Sequence, residues 1–398
     1  MTPYAGRLAV VLSHPVQYYS PWFRWMRVRA GIDLRVFYLW NSGVTAQTDR
    51  GFGIPVTWDV DLLQGYESEF VPNRAADPGT HHFRGLDNPG IGDRLAAWRP
   101  DAILLFGYNW LTHQRVIRWA RGRGLPLVFR GDSHFLGRGG PGLLRGLALR
   151  FVYRKFAAFA TVGKANADYF RTLGVPENRL FFAPHAVDHT RFDPNEAAAV
   201  GHARRERTEL GLEGRRVILF AGKFQPAKQP LELLEAFQSV AGPGDALVLA
   251  GEGPERERLH AVAARTPNLA IRFLPFANQS EMPSRYLLAD VFALPSRGHY
   301  ETWGLAVNEA MHLGRPCLVT DRVGCQRDLV ETGRTGWVAP VDDPGSLAHG
   351  VASALRAPSV ELDRLRAGAL ERIAGYTYEQ TTRGLVAALA SLPATTAP

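Results

Sequence analysis

Two lysines in the second half of this 398-residue chain have a type and spacing that suit phosphate binding. Lys223 and Lys228 follow the apolar run VILFAG and precede the helical pattern PLELLEAF. Lysine holds a phosphate as a point charge, and a strand end that leads into a helix adds free backbone N–H groups. Only four of the 46 basic residues are lysines. Two of them in one loop therefore favour a diphosphate site over a pair of solvated surface residues.

Two glutamates further along the chain have a spacing that suits hydroxyl groups. Glu301 and Glu309 stand eight residues apart, and Gly304-Leu305 begins a predicted helix between them. Both carboxylates can face one ligand, because Glu309 lies in the first turns of that helix and Glu301 just before it. A carboxylate accepts hydrogen bonds from neighbouring hydroxyls, and the free N–H groups of a helix start bind phosphate. On spacing alone, the alternative is that both glutamates are capping and surface residues.

The elements that must position these residues are short strands that alternate with helices. Aliphatic runs alternate with amphipathic stretches throughout the chain, which is typical of βαβ units in a parallel sheet. Strands are predicted at residues 7–12, 33–38, 101–106, 125–129, 157–162, 180–183, 216–221, 246–250, 270–274, 291–294, 316–320 and 336–341. Helices are predicted at residues 110–121, 165–173, 230–239 and 305–313, and residues 40–98 are predicted to be a long irregular connection.

The alternation restarts in the second half, which predicts two doubly wound α/β domains with a cleft between them. Residues 1–192 form the first domain, residues 193–214 a polar linker and residues 215–373 the second domain. Residues 374–398 are expected to hold a C-terminal helix, which can pack back on the first domain, and a frayed tail. Ligands of such sheets bind beyond the carboxyl ends of the strands.

Several ordered motifs between residues 221 and 343 resemble the nucleotide-sugar domain of glycosyltransferase family 4, whose retaining enzymes have the GT-B fold. The E-x7-E motif of that family is matched by Glu301 and Glu309 within PSRGHYETWGLAVNEAM. Its G-R/K-x4-K phosphate loop is matched by GKFQPAK, and GEGPE and VGCQRDLVETGRTGWV are also present in the expected order. The resemblance implies two Rossmann-like domains that face a central cleft.

The resemblance also implies roles for these residues. The side chains of Lys223 and Lys228 would hold the donor diphosphate, and the backbone amides of Gly304 and Leu305 would contact the phosphate and the sugar. Glu309 would bind the ribose hydroxyls and Glu301 those of the transferred sugar. Glu301, Lys228 and Lys223 are thus the expected catalytic residues.

The activity that the resemblance implies is metal-independent, retaining transfer of a sugar from a nucleoside diphosphate to an acceptor, in the synthesis of an envelope glycan, a polysaccharide or a glycoconjugate. The nucleotide sugar is a donor substrate, and no further cofactor is expected. The alternative is a nucleotide-sugar epimerase of the same two-domain architecture, which would convert the donor with no acceptor present.

The first half resembles the family more loosely, and its differences indicate the acceptor side. SHPVQYYSPWFRW replaces the usual glycine-rich loop, RGDSH lies where relatives often have a histidine, and His185-Ala186 replaces the usual Asn-Gly. Polar residues of the first two segments are the candidates to face a glycan, lipid-linked or small-molecule acceptor: His14, Gln17, Asp132 and His134. For the two histidines, the alternative is an ordinary polar residue at a strand end.

Composition excludes several classes of protein. The chain is 46% apolar and 21% charged, which excludes a collagen-like or wholly disordered protein. No run reaches the roughly 18 apolar residues of a membrane span, and the N-terminal region has no signal-peptide pattern, so a cytoplasmic location is predicted. Cys317 and Cys325 are too few for a disulfide framework and are predicted to be free thiols.

The basic excess lies in the first half. Residues 1–195 carry 24 Lys/Arg against 15 Asp/Glu, whereas the remaining residues carry 22 against 23. No nucleic-acid-binding motif accompanies this excess, so no nucleic-acid partner is expected. Residues 21–31 and 142–156 mix arginines with aromatic and aliphatic residues, which predicts basic amphipathic helices at an anionic membrane surface and a peripheral position at its inner face. The alternatives are an anionic soluble acceptor, or helices that bury their apolar sides in the core and leave the arginines solvated.

No metal site is predicted. Asp59 and Asp61 form a DxD sequence, as in metal-dependent GT-A transferases, but it falls in the irregular stretch of the first half and is interpreted as a loop or acceptor-side feature. His81 and His82 have no cysteine or acidic residue at ligand spacing, so a solvated pair is expected.

Overall fold

The structure is a computed structural model that describes residues 4–44, 47–48, 53–298 and 301–393. Its strands are β1 (Arg7–Leu12), β2 (Asp33–Tyr38), β3 (Gln47–Thr48), β4 (Pro55–Val56), β5 (Glu67–Phe70), β6 (Ala102–Phe106), β7 (Leu127–Arg130), β8 (Ala158–Thr161), β9 (Leu180–Phe182), β10 (Arg216–Ala221), β11 (Asp245–Ala250), β12 (Ala270–Leu274), β13 (Val291–Leu294), β14 (Cys317–Thr320) and β15 (Gly336–Ala339).

The helices alternate with these strands. They are α1 (Ser20–Val28), α2 (Ile91–Trp98), α3 (Leu111–Arg121), α4 (Leu143–Tyr153), α5 (Lys164–Thr172), α6 (Ala197–Glu209), α7 (Pro230–Val240), α8 (Arg256–Ala263), α9 (Met282–Leu287), α10 (Leu305–His312), α11 (Gln326–Leu329), α12 (Ser346–Arg356), α13 (Ser359–Ile373) and α14 (Tyr378–Ala390).

Two parallel sheets organise the chain. The first has the strand order β5-β2-β1-β6-β7-β8-β9 and the second β12-β11-β10-β13-β14-β15. In each sheet the order reverses beside the first strand, between β1 and β6 and between β10 and β13, which is where doubly wound folds bind ligands. The predicted pair of doubly wound α/β domains is confirmed.

Burial on both faces explains why the strands could be read from the sequence. All residues of β6 and β13 are buried, since helices cover both faces of a parallel sheet and the strands become continuous apolar runs. Strands β1, β2, β10, β12 and β13 have the predicted bounds, and the remaining predicted strands differ by one or two residues at their ends.

Two segments differ from the prediction. The stretch at residues 40–98 contains β5, an edge strand that pairs with β2, and α2. The sequence of β5, ESEF, lacks the apolar run of a buried strand because an edge strand is largely exposed. The predicted linker contains α6, which packs against α9, and its Ala203 and Leu212 belong to the core of the second sheet. This segment is therefore part of the second domain.

The last helix crosses back to the first domain. Leu385 and Ala388 of α14 are fully buried in the core on one face of the first sheet. The indole of Trp22 in α1 donates a hydrogen bond to Oγ1 of Thr382 in α14, at 2.9 Å. The chain thus links the domains twice. The frayed tail predicted after Leu392 lies, from residue 394, outside the described residues.

Two further expectations concern cysteines and membrane spans. Cys317 and Cys325 are both free and buried. In the described part of the chain, no helix combines the length and the apolar character needed to cross a membrane.

Replacing Leu385 with Ala should lower the free energy of unfolding by about 2–5 kcal/mol, because a fully buried leucine leaves a cavity in the core. Urea unfolding followed by circular dichroism measures this change. The control is Val360→Ala, whose 83% exposed side chain should change stability by no more than about 0.5 kcal/mol. Equal unfolding midpoints for the two variants would show that α14 does not complete the first domain.

Candidate functional site

A cavity of about 420 Å³ lies between the carboxyl ends of the two sheets. The connections after β1, β7 and β9 line it from the first domain, and those after β10, β11, β12 and β13 line it from the second. Parallel strands end at one edge of a sheet, so residues that are far apart in the chain meet here. The cavity is the cleft that the sequence predicts.

The loop after β10 brings both predicted lysines to this cavity. Lys223 follows the strand directly, and Lys228 ends a single 3₁₀ turn, Pro226–Lys228, before α7 begins. The glycine that begins GEGPE permits this geometry. A Cβ on Gly251 would lie 1.9 Å from the carbonyl oxygen of Gly222. The loops after β10 and β11 can therefore make contact only because Gly251 has no side chain.

Glu301 is buried and forms an ion pair with the second lysine. Nζ of Lys228 donates to Oε2 of Glu301. Oγ of Ser296 donates to the same oxygen at 2.8 Å. The carboxylate therefore has two partners, both of them from the second domain.

Glu309 forms no ion pair with a described residue and is 2% exposed. The hydroxyl of Tyr286 donates to its Oε2 at 2.7 Å, while its Oε1 has no hydrogen-bond partner among the described residues. Burial raises the pKa of Glu309 to about 7, although the hydroxyls of Tyr286 and Tyr18 lower it in turn. A buried acceptor without a partner, on the wall of a cavity, indicates a ligand that donates a hydrogen bond.

The N-terminus of α10 faces the same cavity. Gly304 precedes the helix with φ of +99°, and Gly304, Leu305 and Ala306 all line the cavity. The first N–H groups of a helix have no carbonyl partner within the helix, and the helix dipole favours negative charge there. Backbone amides and two lysines thus converge on one space.

The opposite wall carries a carboxylate and an imidazole from the first domain. Oγ1 of Thr302 donates to Oδ2 of Asp132 at 2.7 Å, and Nε2 of His185 lies 3.7 Å from the same oxygen. Burial raises the pKa of Asp132, but His185 and Thr302 outweigh burial and the net shift is downward. Burial lowers the pKa of His185, which favours the neutral imidazole.

The other acceptor-side candidates divide into two groups. Gln17 lines the cavity, as Asp132 does, whereas His14 and His134 are not among its lining residues. His14 contacts Ser13 and Trp40, and burial lowers its pKa to about 4. These two histidines therefore fit the alternative interpretation, that of polar residues at strand ends.

His134 has a supporting position behind Glu301. The N–H of Leu136 donates to Nδ1 of His134 at 3.1 Å, which places the ring proton on Nε2. Nε2 then donates to the carbonyl oxygen of Glu301 at 3.3 Å. His134 thus holds the backbone of Glu301 across the domain boundary.

The sequence does not indicate several residues that line the cavity, among them Tyr286, His185 and Trp58. His185 is 3% exposed, and its Nε2 has no hydrogen-bond partner among the described residues. The sequence carries one signal for His185, because His185-Ala186 replaces the usual Asn-Gly pair of the family. That difference indicates the segment and does not indicate that the imidazole lines the cavity. Trp58 lies in the stretch that was predicted to be irregular, and its ring centroid is 6.3 Å from that of Phe276.

The DxD sequence has structural partners in the described chain. The carboxylate of Asp59 accepts hydrogen bonds from the backbone and the hydroxyl of Ser280, in the second domain. The amide of Asn278 donates to the carbonyl oxygen of Thr57 at 2.8 Å. Asp61 accepts from two backbone N–H groups of its own turn. The segment connects the domains beside the cavity and agrees with the interpretation as a loop feature.

The prediction for His81 and His82 missed an acidic neighbour. Oδ2 of Asp77 lies 2.8 Å from Nε2 of His81 and 3.7 Å from Nε2 of His82. The loop between Asp77 and His81 turns back on itself, which brings the carboxylate to both rings. All three side chains are partly or largely exposed, and none of them lines the cavity.

Comparison with known proteins identifies the family. The model of "Glycosyl transferases group 1" matches residues 203–371, and that of "Glycosyl transferase 4-like domain" matches residues 71–186. A protein of Nocardia farcinica named D-inositol 3-phosphate glycosyltransferase is 32% identical over 352 residues, which cover 79% of this chain and 74% of that protein. The chain belongs to the group 1 glycosyltransferases.

A second relative and a solved structure are also similar to this glycosyltransferase. The protein of the same name from Geodermatophilus obscurus is 32% identical over 228 residues, and that alignment spans about half of the relative, 48%. Anabaena HepE, solved with UDP and glucose, has a TM-score of 0.73 and 16% identity, with 97% of this chain and 100% of that chain covered. This likeness shows that the glycosyltransferase has the GT-B fold.

A ligand that donates a hydrogen bond to Glu309, for which an intact nucleotide sugar is the probe, should bind roughly fivefold more weakly as the pH falls from about 8 to about 6. The pKa of Glu309 is raised to about 7, so its carboxyl becomes protonated in this range and would lose the stronger, charged form of the hydrogen bond to that ligand. Isothermal titration calorimetry gives the dissociation constant. The diphosphate of a nucleotide sugar has no monoester group that titrates near pH 6.

The contribution of Glu309 to stability should change in the opposite direction. The pKa of Glu309 is about 7 in the folded protein against an ordinary value of 4.5, so the folded state binds the proton more tightly. In the absence of ligand, Glu309 therefore contributes more stability as the pH falls from about 7 towards about 4.5. Buried histidines such as His14 and His113, whose pKa values are lowered to about 4 and about 3, act in the opposite direction, so the measured quantity is the difference in free energy of unfolding between the wild type and Glu309→Gln, whose amide does not titrate. If this difference did not change with pH, or if the variant kept the pH dependence of binding, the titrating group would lie elsewhere.

Proposed function

We propose that this glycosyltransferase retains the anomeric configuration of the sugar that it moves from a nucleoside diphosphate to an acceptor hydroxyl. The observation that carries the proposal is the convergence of Lys223, Lys228 and the start of α10 on one cavity. Beside them lies Oε1 of Glu309, which has no hydrogen-bond partner among the described residues. The HepE structures, which hold UDP and glucose or UDP-glucose, support a nucleotide-sugar donor.

The donor would be bound mainly through charge and backbone amides. The two lysines answer the negative charge of the diphosphate, and the first N–H groups of α10 add donors of fixed direction. Glu309 would accept from the ribose hydroxyls through Oε1. Glu301 would accept from the transferred sugar, whose hydroxyls would share that carboxylate with Lys228 and Ser296.

The chemistry needs no dedicated base. The bond between the anomeric carbon and the phosphate oxygen breaks, and the acceptor oxygen bonds to that carbon on the same face. The acceptor proton passes to the departing phosphate oxygen. The protein's contribution is to hold the acceptor on the face of the sugar that carries the leaving group and to stabilise the charge on the leaving diphosphate, through groups that are already in place.

The acceptor would bind to the wall that the first domain provides. Asp132 offers acceptor oxygens, and Nε2 of neutral His185 lies 3.7 Å from that carboxylate and has no hydrogen-bond partner among the described residues. Gln17 adds an amide that can donate and accept. This set fits the hydroxyl groups of a polyol, a glycan or a lipid-linked glycan. The relative from Nocardia farcinica, which is named for an inositol phosphate acceptor, supports a polyol-type acceptor.

We also propose the setting of the reaction. The enzyme acts in the cytoplasm and contributes to an envelope glycan, a polysaccharide or a glycoconjugate. It works as a peripheral enzyme at the inner face of the membrane, where lipid-linked acceptors are displayed. The basic excess of the first half supports this position.

Lys228→Ala and Glu309→Ala should each reduce turnover about ten- to a hundredfold while the protein stays folded. Each removes a charge-assisted contact worth roughly 1.5–3 kcal/mol. Thermal shift with a panel of nucleotide sugars identifies the donor, and NMR of the product gives the anomeric configuration. Lys228→Arg should remain below wild type, since a planar fork replaces a point charge.

The control for these variants is Arg204→Ala, on the exposed surface of α6, which should keep full activity. Wild-type rates in both site variants would overturn the assignment of the site. A product of inverted configuration would overturn the retaining mechanism. Conversion of the donor with no acceptor present would show an epimerase instead.

A chelator should leave the activity unchanged, because Lys223, Lys228 and the amides of α10 would stabilise the negative charge of the diphosphate without a metal ion. The measurement is the initial rate after treatment with EDTA and desalting. Loss of activity that Mg²⁺ or Mn²⁺ restores would contradict metal independence and would redirect attention to Asp59 and Asp61.

A further inference from the structure

Helix α4 turns a row of large apolar side chains towards solvent. Leu143, Leu144, Leu147 and Phe151 are 79%, 83%, 53% and 63% exposed. Residues four apart lie on one helix face, so positions 143, 147 and 151 form a stripe with residue 144 beside it. Ten large apolar side chains are exposed in the described part of the chain, and four of them belong to this helix. A patch of this kind marks an interaction surface.

A pocket lined by three arginines lies beside this stripe. Arg150, Arg154 and Arg179 line a cavity of about 250 Å³. Within the described ranges, none of the three forms an ion pair with an acidic side chain, whereas nearby Arg171 is paired with both Asp168 and Glu177. Guanidinium groups favour the oxygens of a phosphate, which would relieve their mutual repulsion.

Further basic residues surround the stripe. Burial lowers the pKa of Lys155, and the charges of Arg121 and Arg118 lower it further, so these three cations lie near one another. The amine of Lys155 also lies 4.8 Å from the centre of the Phe151 ring. The apolar stripe thus has cations at its border.

The other predicted basic helix does not share these features. Trp22, Phe23 and Met26 of α1 are buried in the core of the first domain. Arg24 donates to the backbone carbonyls of Asp61 and Gln64. For α1, the alternative of a helix that packs its apolar side inwards is therefore correct, and the surface around α4 is left as the candidate.

We propose that the α4 surface binds a bilayer that contains anionic phospholipids. By the α4 surface we mean the stripe of Leu143, Leu144, Leu147 and Phe151 with the pocket of Arg150, Arg154 and Arg179. The stripe enters the boundary between headgroups and acyl chains, and the pocket binds a headgroup phosphate. Charge complementarity decides this occupant: unpaired arginines that border an exposed apolar stripe match an anionic lipid surface.

The position of α4 in the chain connects this surface to the cleft. The segment after β7 carries Asp132 into the cavity and continues directly into α4. Membrane contact would therefore hold the acceptor wall close to the bilayer. The inference rests on the proposed function only in this respect, that it says where a lipid-linked acceptor is met.

The test is co-sedimentation of the full chain with vesicles of phosphatidylcholine alone or mixed with phosphatidylglycerol. Binding should require phosphatidylglycerol and weaken at high salt. Each basic residue near such a surface contributes about fivefold to the partition coefficient, so Arg150→Ser/Arg154→Ser/Arg179→Ser should lower it roughly a hundredfold. Leu144→Ser/Leu147→Ser/Phe151→Ser should also lower it. Both sets alter side chains on the surface, and an unchanged melting temperature verifies the fold.

The matched control removes the same charge elsewhere. Arg204→Ser/Arg205→Ser/Arg364→Ser alters three exposed arginines of the second half and should leave vesicle binding unchanged. Equal binding to neutral and anionic vesicles, no binding to either, or an equal loss in the control variant would each overturn the proposal. Nucleotide-sugar binding in the Arg150/Arg154/Arg179 variant should equal wild type. Failure of the lipid surface and failure of the proposed transfer activity can thus be told apart.

Discussion

One short stretch, residues 301–309, bonds the two domains to each other at the cleft. Thr302 donates to Asp132, and the amide of Asn308 donates to the carbonyl oxygen of His185 at 3.1 Å. The segment that carries both glutamates is thereby tied to the acceptor wall. Group transfer needs reacting atoms about 3–3.5 Å apart. A segment that is bonded to both walls of the cleft would help to hold two substrates at this distance. The cleft is accordingly one site built on two cores.

The two glutamates of this stretch are buried in different ways, and the difference has a physical reason. A buried charge is costly unless it is paired. Glu301 is paired with Lys228, whereas burial raises the pKa of Glu309 to about 7. In the proposed function, a diphosphate that approaches Lys228 would compete with Glu301 for the same amine. The ligand would then have to offer Glu301 a replacement donor, which a sugar hydroxyl would supply.

The charges of the first domain show that position is more informative than number. Arg35, Arg115 and Arg171 are each bonded to acidic side chains and stabilise the fold locally. Arg150, Arg154 and Arg179 of the α4 surface have no acidic partner within the described part of the chain. A total charge of +8 suits several kinds of partner. The pairing pattern separates the charges that support the structure from those that remain for an external surface.

The sequence alone determined the parallel sheets and the cleft, and it indicated Glu301, Glu309 and the two lysines, which all line the cavity. A buried strand is a local apolar run, and Glu301, Glu309 and the two lysines lie in short motifs whose spacing is set by one loop or one helix. The tertiary structure decided the rest: the contact of His185 with Asp132, the hydrogen bond that Ser280 donates to Asp59, the edge strand β5 and the outward face of α4. These features depend on which distant segments meet and on which helix face is covered. Local periodicity carries no information about either, because both are set by how the two cores pack together.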